Sequence, residues 1–465
     1  MQFIYFVYLL IAVIGVFLLL PHIKQKPYMV LILFWLLLYP IMVHPEFLIS
    51  IDYLGFDLQP NRIIFLILVP VLYLSIVAPK HALRSQQKLN HLGLHGFEKW
   101  LLILVISALF SLIINSQQVG YRQTLVNITQ IFTYLLVYFS SKRFINRNDF
   151  IILSKVIVGF AALSSIVGII QFFVDPGFFR IGTSLRAFSS FTRSNGFFSS
   201  EYNQGLFLTL SMIIALGILK NKFLKFLLLG ILSIGVFLTM HRLSWAVFVL
   251  IAGVILILSI NGSTLKIGLS LLVGAVVFSL IIFLPQSKIL SQSGVERLLA
   301  ERITVDNITI RLVLNEFAID LIKKYPQGIG DIWTPLYNQE AAIFRKPIPF
   351  LGYGALSIHN GFLSAGVRYG VFGLLAFAIF YLNALFFFIR NKINREIMFF
   401  IPILCISAML LFNTTQDYSF LGSQLNIFFA LLLGSFTSIV NKNFTWNGDK
   451  TRSSSDSKQK WLNAN

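Results

Sequence analysis

The chain is divided into apolar blocks, each about as long as a bilayer's hydrocarbon core is thick, and this limits the fold more than any other feature. A helix needs roughly 20 apolar residues to cross about 30 Å of hydrocarbon. Blocks near that length fall at 2–20, 28–43, 63–79, 100–115, 124–141, 150–172, 204–219, 226–240, 244–260, 267–285, 369–389, 397–413 and 424–440. Composition agrees, since only 12% of the residues are charged and 57% are hydrophobic, whereas soluble chains carry about 25% charged residues. The expected fold is an all-α polytopic membrane protein of about thirteen helices. One transmembrane helical domain would occupy 1–440, and the polar run TRSSSDSKQK marks 441–465 as a disordered cytoplasmic tail.

The connections set the orientation, because Lys and Arg accumulate on the cytoplasmic side. Lys24, Lys26, Lys80, Arg84, Lys88, Lys99, Lys142, Arg143, Arg147, Lys220, Lys222, Lys225, Lys266, Arg390, Lys392, Arg395 and the tail lysines share one side of this topology. Glu46, Asp52, Asp57, Asp175, Glu201 and Asp417 fall on the other. The odd number of spans puts the N-terminus outside and the C-terminus in the cytoplasm. The net charge of +19 is scattered over short loops as a topology signal, with no basic binding face, so nucleic acid is not an expected partner. The first block has no basic residue before it and no small-residue cleavage site near Pro21, so it reads as a retained span. Cys405 is the single cysteine and falls within a span, which excludes disulfides, zinc clusters and thiol catalysis.

Two outer connections are long. The first, 174–203, holds Arg180, Arg186 and Arg193 and no lysine. Arginine favours planar, bidentate recognition of phosphate or carboxylate, although contact with lipid headgroups at the membrane rim is the more ordinary role for Arg180 and Arg186. Arg193 differs, because RSNGFFSSEYNQG turns through Asn195-Gly196 straight into the next span and keeps its charge at the membrane mouth. The second connection, 286–359, is far longer than usual. Within it Ile310, Leu314, Phe317 and Leu321 stand at helical spacing, with Asn307 as the expected cap and Pro326 as the stop, followed by Gly328 and Gly330. The helix offers Arg311 no ion-pair partner at the next turn. Arg311 is then either a solvated surface residue or, if the apolar face lies along the membrane as a lid, a charge pointing into what the lid covers.

After this connection comes HNGFLSAGVRYGVFG. His359 is one of three outer histidines, with His44 and His241, and it precedes a helix start at Asn360. Gly366, Gly370 and Gly373 would let a short re-entrant helix break before the span resumes, which membranes tolerate only where backbone lines a cavity or is buried in protein. Arg368 would line that cavity or reach the headgroups. In LTMHRLSW, His241 and Arg242 stand on a tight outer turn, where an unpaired charge needs water, lipid phosphate or a bound anion. The spans themselves hold no Asp or Glu, which ion-coupled transporters usually need at membrane depth. Lys155, near a cytoplasmic end, can snorkel outward. There is no Walker loop, no His-Glu-x-x-His pair and no run of carboxylates spaced for a divalent cation. What is left is an arginine-rich outer site with one histidine, suited to a lipid-linked diphosphate.

Arg193-x-x-Gly196 before a span, Thr239-x-x-Arg242 at a turn, Arg311 upstream of Pro326-x-Gly328-x-Gly330, and His359-Asn360 leading into Gly370-x-x-Gly373 resemble the bacterial O-antigen ligase and O-antigen polymerase superfamily. The resemblance runs from Arg193 to Gly373, and departs from the usual Ser-Arg turn in having His241 before Arg242. It implies a cofactor-free, metal-independent glycosyltransferase in the bacterial cytoplasmic membrane, with a helix arrangement like that of polyprenyl-dependent (GT-C-like) transferases. The donor would be a glycan on undecaprenyl diphosphate, and the acceptor another glycan, the lipid A-core or a protein. Membrane lipid and a chain-length regulator protein would be further partners. In this reading Arg242 and Arg311 stabilise the departing diphosphate, His359 takes the proton of the attacking hydroxyl, and Arg193, Arg186 and Asn360 bind substrate, with inversion at the anomeric carbon. The modest outer loop favours polymerisation of O-antigen or capsule repeat units, with ligation next. Two readings of other classes are a flippase or exporter of lipid-linked sugars, which would need a cavity open to both sides, and a membrane scaffold, which leaves the arginines and His359 without a purpose.

Overall fold

The computed structural model describes residues 28–36 apart from 30 and 34, then 49–51, 56–58, 94–180, 186–188, 191–258, 305–332, 334–344, 358–391 and 400–441. The described residues are overwhelmingly helical. The helices are α1 (Gly96–Ile114), α2 (Ser116–Val119), α3 (Tyr121–Phe144), α4 (Arg147–Phe173), α5 (Glu201–Ile218), α6 (Lys222–Leu238), α7 (Arg242–Leu258), α8 (Val305–Lys324), α9 (Pro335–Ile343), α10 (Gly361–Arg390), α11 (Phe400–Asn413) and α12 (Gln424–Asn441). Two small antiparallel ribbons accompany them, β1 (Ile49–Ile51) with β2 (Phe56–Leu58) and β3 (Arg186–Phe188) with β4 (Phe191–Thr192).

Nine of these helices fall on expected apolar blocks, and α1, α4, α10 and α12 are long and apolar enough to cross a membrane. The blocks at 2–20, 63–79 and 267–285, part of 28–43, His44 and the 441–465 tail, apart from Asn441 at the end of α12, lie outside the described residues. Helix starts follow their sequence signals. Asn146 accepts from the Asp149 amide while the Asp149 carboxylate accepts from the Asn146 amide, closing a capping box. Ser200 and Asn221 cap α5 and α6 more simply, their side chains accepting from the amides of Asn203 and Leu224.

Helix α10 lies along α1, α4 packs on α5 and α6, and α11 closes against α5 and α10. The core between them is rich in phenylalanine, with Phe97, Phe150, Phe207, Phe377, Phe380, Phe412 and Phe429 all fully buried. At the start of α1 Glu98 is buried as well, yet all its needs are met. It accepts from Lys142 Nζ at 2.7 and 2.9 Å, from Tyr138 Oη at 2.5 Å and from the His95 amide at 2.6 Å. A buried carboxylate is tolerated only with partners of this kind.

Helix α10 breaks at Gly370, where φ is +78° and ψ is −175°. The break frees carbonyls and an amide that an intact helix would pair, and the segment after α8 takes them up. Ile329 N donates to Val367 O at 2.9 Å, Gly330 N to Arg368 O at 3.0 Å, and Val371 N to Pro326 O at 2.9 Å. From α1, Ser111 Oγ donates to Arg368 O at 2.7 Å and Asn115 Nδ2 to Gly328 O at 3.1 Å. Gly328 and Gly330 have φ of +84° and +83°, the left-handed region that costs side-chain-bearing residues free energy.

Two expectations for α8 need correction. It begins at Val305, so Asn307 lies inside its first turn and is not its cap. Its apolar face does not lie along the membrane as a lid either. Leu314, Phe317 and Leu321 pack with Ile329, Ile332, Tyr337, Ile358 and Val367 in a second small core, which fastens α8 to the beginning of α10. The Gly328-Gly330 turn brings its own apolar residues back over that face.

This interlock makes a testable difference between two glycines. A Cβ on Gly370 would run into the Pro326 carbonyl oxygen, whereas one on Gly120 (φ +87°) would meet nothing within 4 Å. Gly120→Ala should cost about 1 kcal/mol from backbone strain alone, and Gly370→Ala about 3 kcal/mol or more. Thermal unfolding in detergent would check the order, and equal losses would show that the α10 break is not held by these contacts.

Candidate functional site

Arg193 is placed by a chain of polar contacts that start in α4. Gln171 Oε1 accepts from the amides of Asn195 (3.0 Å) and Gly196 (2.9 Å), and its Nε2 donates to the carbonyls of Gly196 and Phe178, both at 2.9 Å. Ser164 Oγ accepts from Phe197 N and donates to Gln204 Oε1 of α5. Gly196 has φ +53°, and a Cβ there would strike Gln204 and Ser164. Ser194 N donates to Leu238 O, which ties this loop to the end of α6. On this frame Arg193 pairs with Glu201 at 2.7 Å and stays partly exposed.

The other two arginines of the loop part ways. Arg180 is partly buried. It donates to the carbonyls of Pro176 and Arg193, the latter at 2.8 Å, and to Thr192 Oγ1 at 3.3 Å, so it braces the backbone beside Arg193. Arg186 stands in β3 opposite Thr192 of β4.

The α6–α7 turn carries Met240 in the left-handed region, φ +52°, which a non-glycine residue holds at a cost of order 1 kcal/mol. Thr239 Oγ1 donates to Val236 O and accepts from His241 N. His241 Nδ1 lies 2.7 Å from Ser244 Oγ, and Nε2 lies 3.1 Å from Nε2 of Gln416. Arg242 is exposed and makes no hydrogen bond or ion pair among the described residues. Arg311, exposed on α8, is alike in this.

His359 and Asn360 precede α10. The Asn360 side-chain carbonyl accepts from Phe362 N (3.0 Å) and Leu363 N (3.1 Å), so Asn360 is the cap of α10. Only its amide nitrogen is left for a ligand. The next residue, Gly361, packs so closely on the α11–α12 connection that a Cβ would collide with Asn413 and lie 3.0 Å from the Gln416 carbonyl oxygen.

Arg368 neither lines an open cavity nor reaches headgroups. It is buried in ion pairs with Asp331 and, at 3.5 Å, with Asp417, and lies 5.5 Å from the centre of the Phe420 ring. Asp331 also accepts from Asn127 Nδ2 of α3 at 2.9 Å, and Asp417 from Ser419 Oγ at 2.6 Å. These groups tie the Gly330 turn, α3, α10 and the 414–423 connection together. Gln416, Asp417, Asp331 and Glu201 are the site's neighbours that sequence reasoning did not assign. The only signal for the first two was a short polar run between apolar blocks.

Electrostatics shows which sequence-predicted residues come together. Burial pushes the pKa of His241 down to about 3, and the charges of Arg193 and Arg311 push the same way. Arg242 is lowered by desolvation and then by Arg311 and Arg193. His359 is lowered by burial and by Arg311, against an upward pull from Asp417. Arg311 thus acts on His241, Arg242 and His359, and Arg193 acts on His241 and Arg242, with both histidines neutral near pH 7. Like charges held together this way form a receptor for a polyanion, and a neutral imidazole beside it can accept a proton. Among the described residues no three His, Cys, Asp or Glu side chains converge as metal ligands.

A family model described as O-antigen ligase matches residues 226–378. That segment starts within α6, ends within α10, and includes Arg242, Arg311, His359, Asn360 and the Gly370 break. Arg193 lies outside it, 33 residues before its start. No curated protein matches the chain.

The buried Arg368 network gives a stability prediction. Arg368→Ala leaves Asp331 and Asp417 without their cation and should cost about 3–5 kcal/mol, as removal of one partner of a buried ion pair does. Arg368→Lys keeps the charge but cannot span both carboxylates, and should lose less. Unfolding midpoints in detergent would test this, and a native midpoint for Arg368→Ala would refute the network's role.

Proposed function

On the premise that the chain, through residues 226–378, belongs to the O-antigen ligase and polymerase superfamily, we propose that it is a glycosyltransferase of the bacterial cytoplasmic membrane. It moves an assembled glycan from undecaprenyl diphosphate to an acceptor hydroxyl on the outer face, polymerising O-antigen or capsule repeat units. The observation that supports this reading is the mutual influence of Arg193, Arg242 and Arg311 at the His241-Arg242 turn, with Arg311 acting also on a neutral His359. About thirteen spans in a GT-C-like arrangement, an outer N-terminus and a cytoplasmic C-terminus belong to the same proposal.

The reaction needs one bond made and one broken. The acceptor oxygen attacks the anomeric carbon, the bond from that carbon to the diphosphate oxygen breaks, and the diphosphate leaves with the electron pair. Arg242 and Arg311, having no carboxylate partner among the described residues, are available to meet the negative charge that grows on the leaving group. Arg193 completes the anion site while Glu201 holds its guanidinium in place, and Arg186 supports the same site from the β3–β4 ribbon. His359 receives the acceptor's proton, and Asp417 faces the imidazolium that results. Asn360 contributes its amide nitrogen to the acceptor. Direct attack without a covalent intermediate inverts the anomeric centre, and no metal or cofactor takes part. Ligation to lipid A-core is the second reading, favoured by the description of the matching family.

Transfer from a synthetic undecaprenyl-diphosphate donor by purified protein, with chelator present, tests the proposal. Activity should persist in chelator and fall about a hundredfold or more in His359→Ala and Arg311→Ala. Full activity in both variants would place the site elsewhere. Deleting the gene separates the acceptors: polymerase loss leaves single capped units, and ligase loss leaves free lipid-linked polymer. A chain-length regulator would show itself as a copurifying partner that changes product length.

The pH profile has a definite sign. A general base works only when unprotonated, and burial and Arg311 hold His359 below its ordinary value of 6.5. The acid limb of kcat/KM should therefore lie below pH 6.5. In the residual activity of Arg311→Ala a nearby positive charge is gone, so the limb should move to higher pH. An unmoved limb would mean that the titrating group is not beside Arg311.

A further inference from the structure

His241 sits amid the arginines, yet the reaction as derived gives it no task. Its ring is committed at both nitrogens. Gln416 donates its amide to Nε2 at 3.1 Å, so the ring proton is on Nδ1, which lies 2.7 Å from Ser244 Oγ. Neither nitrogen is left for a substrate. The two partners come from distant parts of the chain: Ser244 is in the first turn of α7, next to Arg242, and Gln416 follows α11, 175 residues from His241. The ring is further confined by Tyr202 and Phe412, with centroids at 6.3 and 6.1 Å.

Gln416 in turn reaches the histidine of the reaction through the backbone. Its amide N donates to Phe412 O at 2.9 Å, and its carbonyl lies against Gly361, two residues after His359. The following residue, Asp417, pairs with Arg368. A path of direct contacts thus runs from the Arg242 turn through His241 to Gln416 and on to the segment bearing His359. The bridge must also be uncharged. With Arg193 and Arg311 close by, a cationic side chain here would add to a repulsion already present, while a neutral imidazole offers one donor and one acceptor on a rigid ring.

We infer that His241 is a positioning residue for group transfer, holding the anion-binding turn of Arg242 and the His359-Asn360-Gly361 segment in one frame through Gln416. This rests on the transferase reading for its effect on rate, but the bridge itself can be tested apart from that reading.

The experiment is a double-mutant cycle on the full-length protein in detergent, with His241→Ala, Gln416→Ala and the pair combined. Small misplacements of reacting groups cost up to about a hundredfold in rate, so each single variant should lose about tenfold in kcat per folded molecule, with donor KM changed less than about twofold. The double variant should lose no more than the worse single, because one bridge is broken once. His241→Gln, which keeps a neutral donor and acceptor, should recover much of kcat and guards against a variant that merely folds badly. Losses that multiply to about a hundredfold in the double variant would overturn the inference. So would native kcat in His241→Ala with only a lowered melting temperature.

If the native protein transfers no glycan, the transferase reading fails by itself. The cycle is then read from protection against heat by undecaprenyl diphosphate. The bridge predicts reduced protection in each single variant and no further reduction in the double. Equal protection in native and all variants, or no protection of the native protein, overturns it.

Discussion

The break in α10 at Gly370 and the turn that fills it are what the junction of α1, α8 and α10 depends on. A helix interrupted at the edge of a membrane exposes amide and carbonyl groups that hydrocarbon cannot satisfy. Here they are met by Pro326, Ile329 and Gly330, with Ser111 and Asn115 of α1 sealing the other side. Because the turn must approach backbone to backbone, glycine is required at 328 and 370. The same contacts place Asp331 beside Arg368 and draw α8, with Arg311, onto the start of α10. Arg311 and His359, 48 positions apart in sequence, are held together by this one junction.

Around the junction, positive charge is divided into two kinds. Arg368 and Arg193 are neutralised by carboxylates from neighbouring segments, Arg368 by Asp331 and Asp417 and Arg193 by Glu201. Arg180 is spent on carbonyls. Arg242 and Arg311 have no such partners among the described residues. The paired arginines brace neighbouring segments, and the two without carboxylates keep their charge unneutralised among the described residues. A count of arginines in the loops cannot make this division, since it depends on which acid the fold brings to which arginine.

Much of the frame could be read from the sequence. Apolar blocks of span length, the Asn195-Gly196 turn, the cap at Asn360 and the glycine break in α10 are local signals, each a matter of a few adjacent residues. The failures share a different cause. Asn307 was misread as a cap because a helix start is decided by hydrogen bonds and boundaries drift by a turn. The apolar stripe of α8 looked like a membrane-facing lid because a stripe says that a face is covered, and not by what. The structural roles of Arg180 and Arg368 could not be read locally because their partners, the Arg193 carbonyl and Asp417, are respectively 13 and 49 residues distant. The 414–423 connection, which holds Gln416 and Asp417, was passed over because a short polar turn has no periodicity to read.

The electrostatic arrangement also bears on why the histidines are neutral. Burial is the main reason that the pKa of His241 lies near 3, and the charges of Arg193 and Arg311 push it the same way. For His359 burial again comes first, with Arg311 also opposing its charge and Asp417 favouring it. A diphosphate entering the cluster would relieve the repulsion among the arginines and, being anionic, make a nearby imidazolium easier to form. Proton acceptance by His359 would then be most favourable when the leaving group is bound and gaining charge, so that the anion site and the base strengthen one another at the moment the bond breaks.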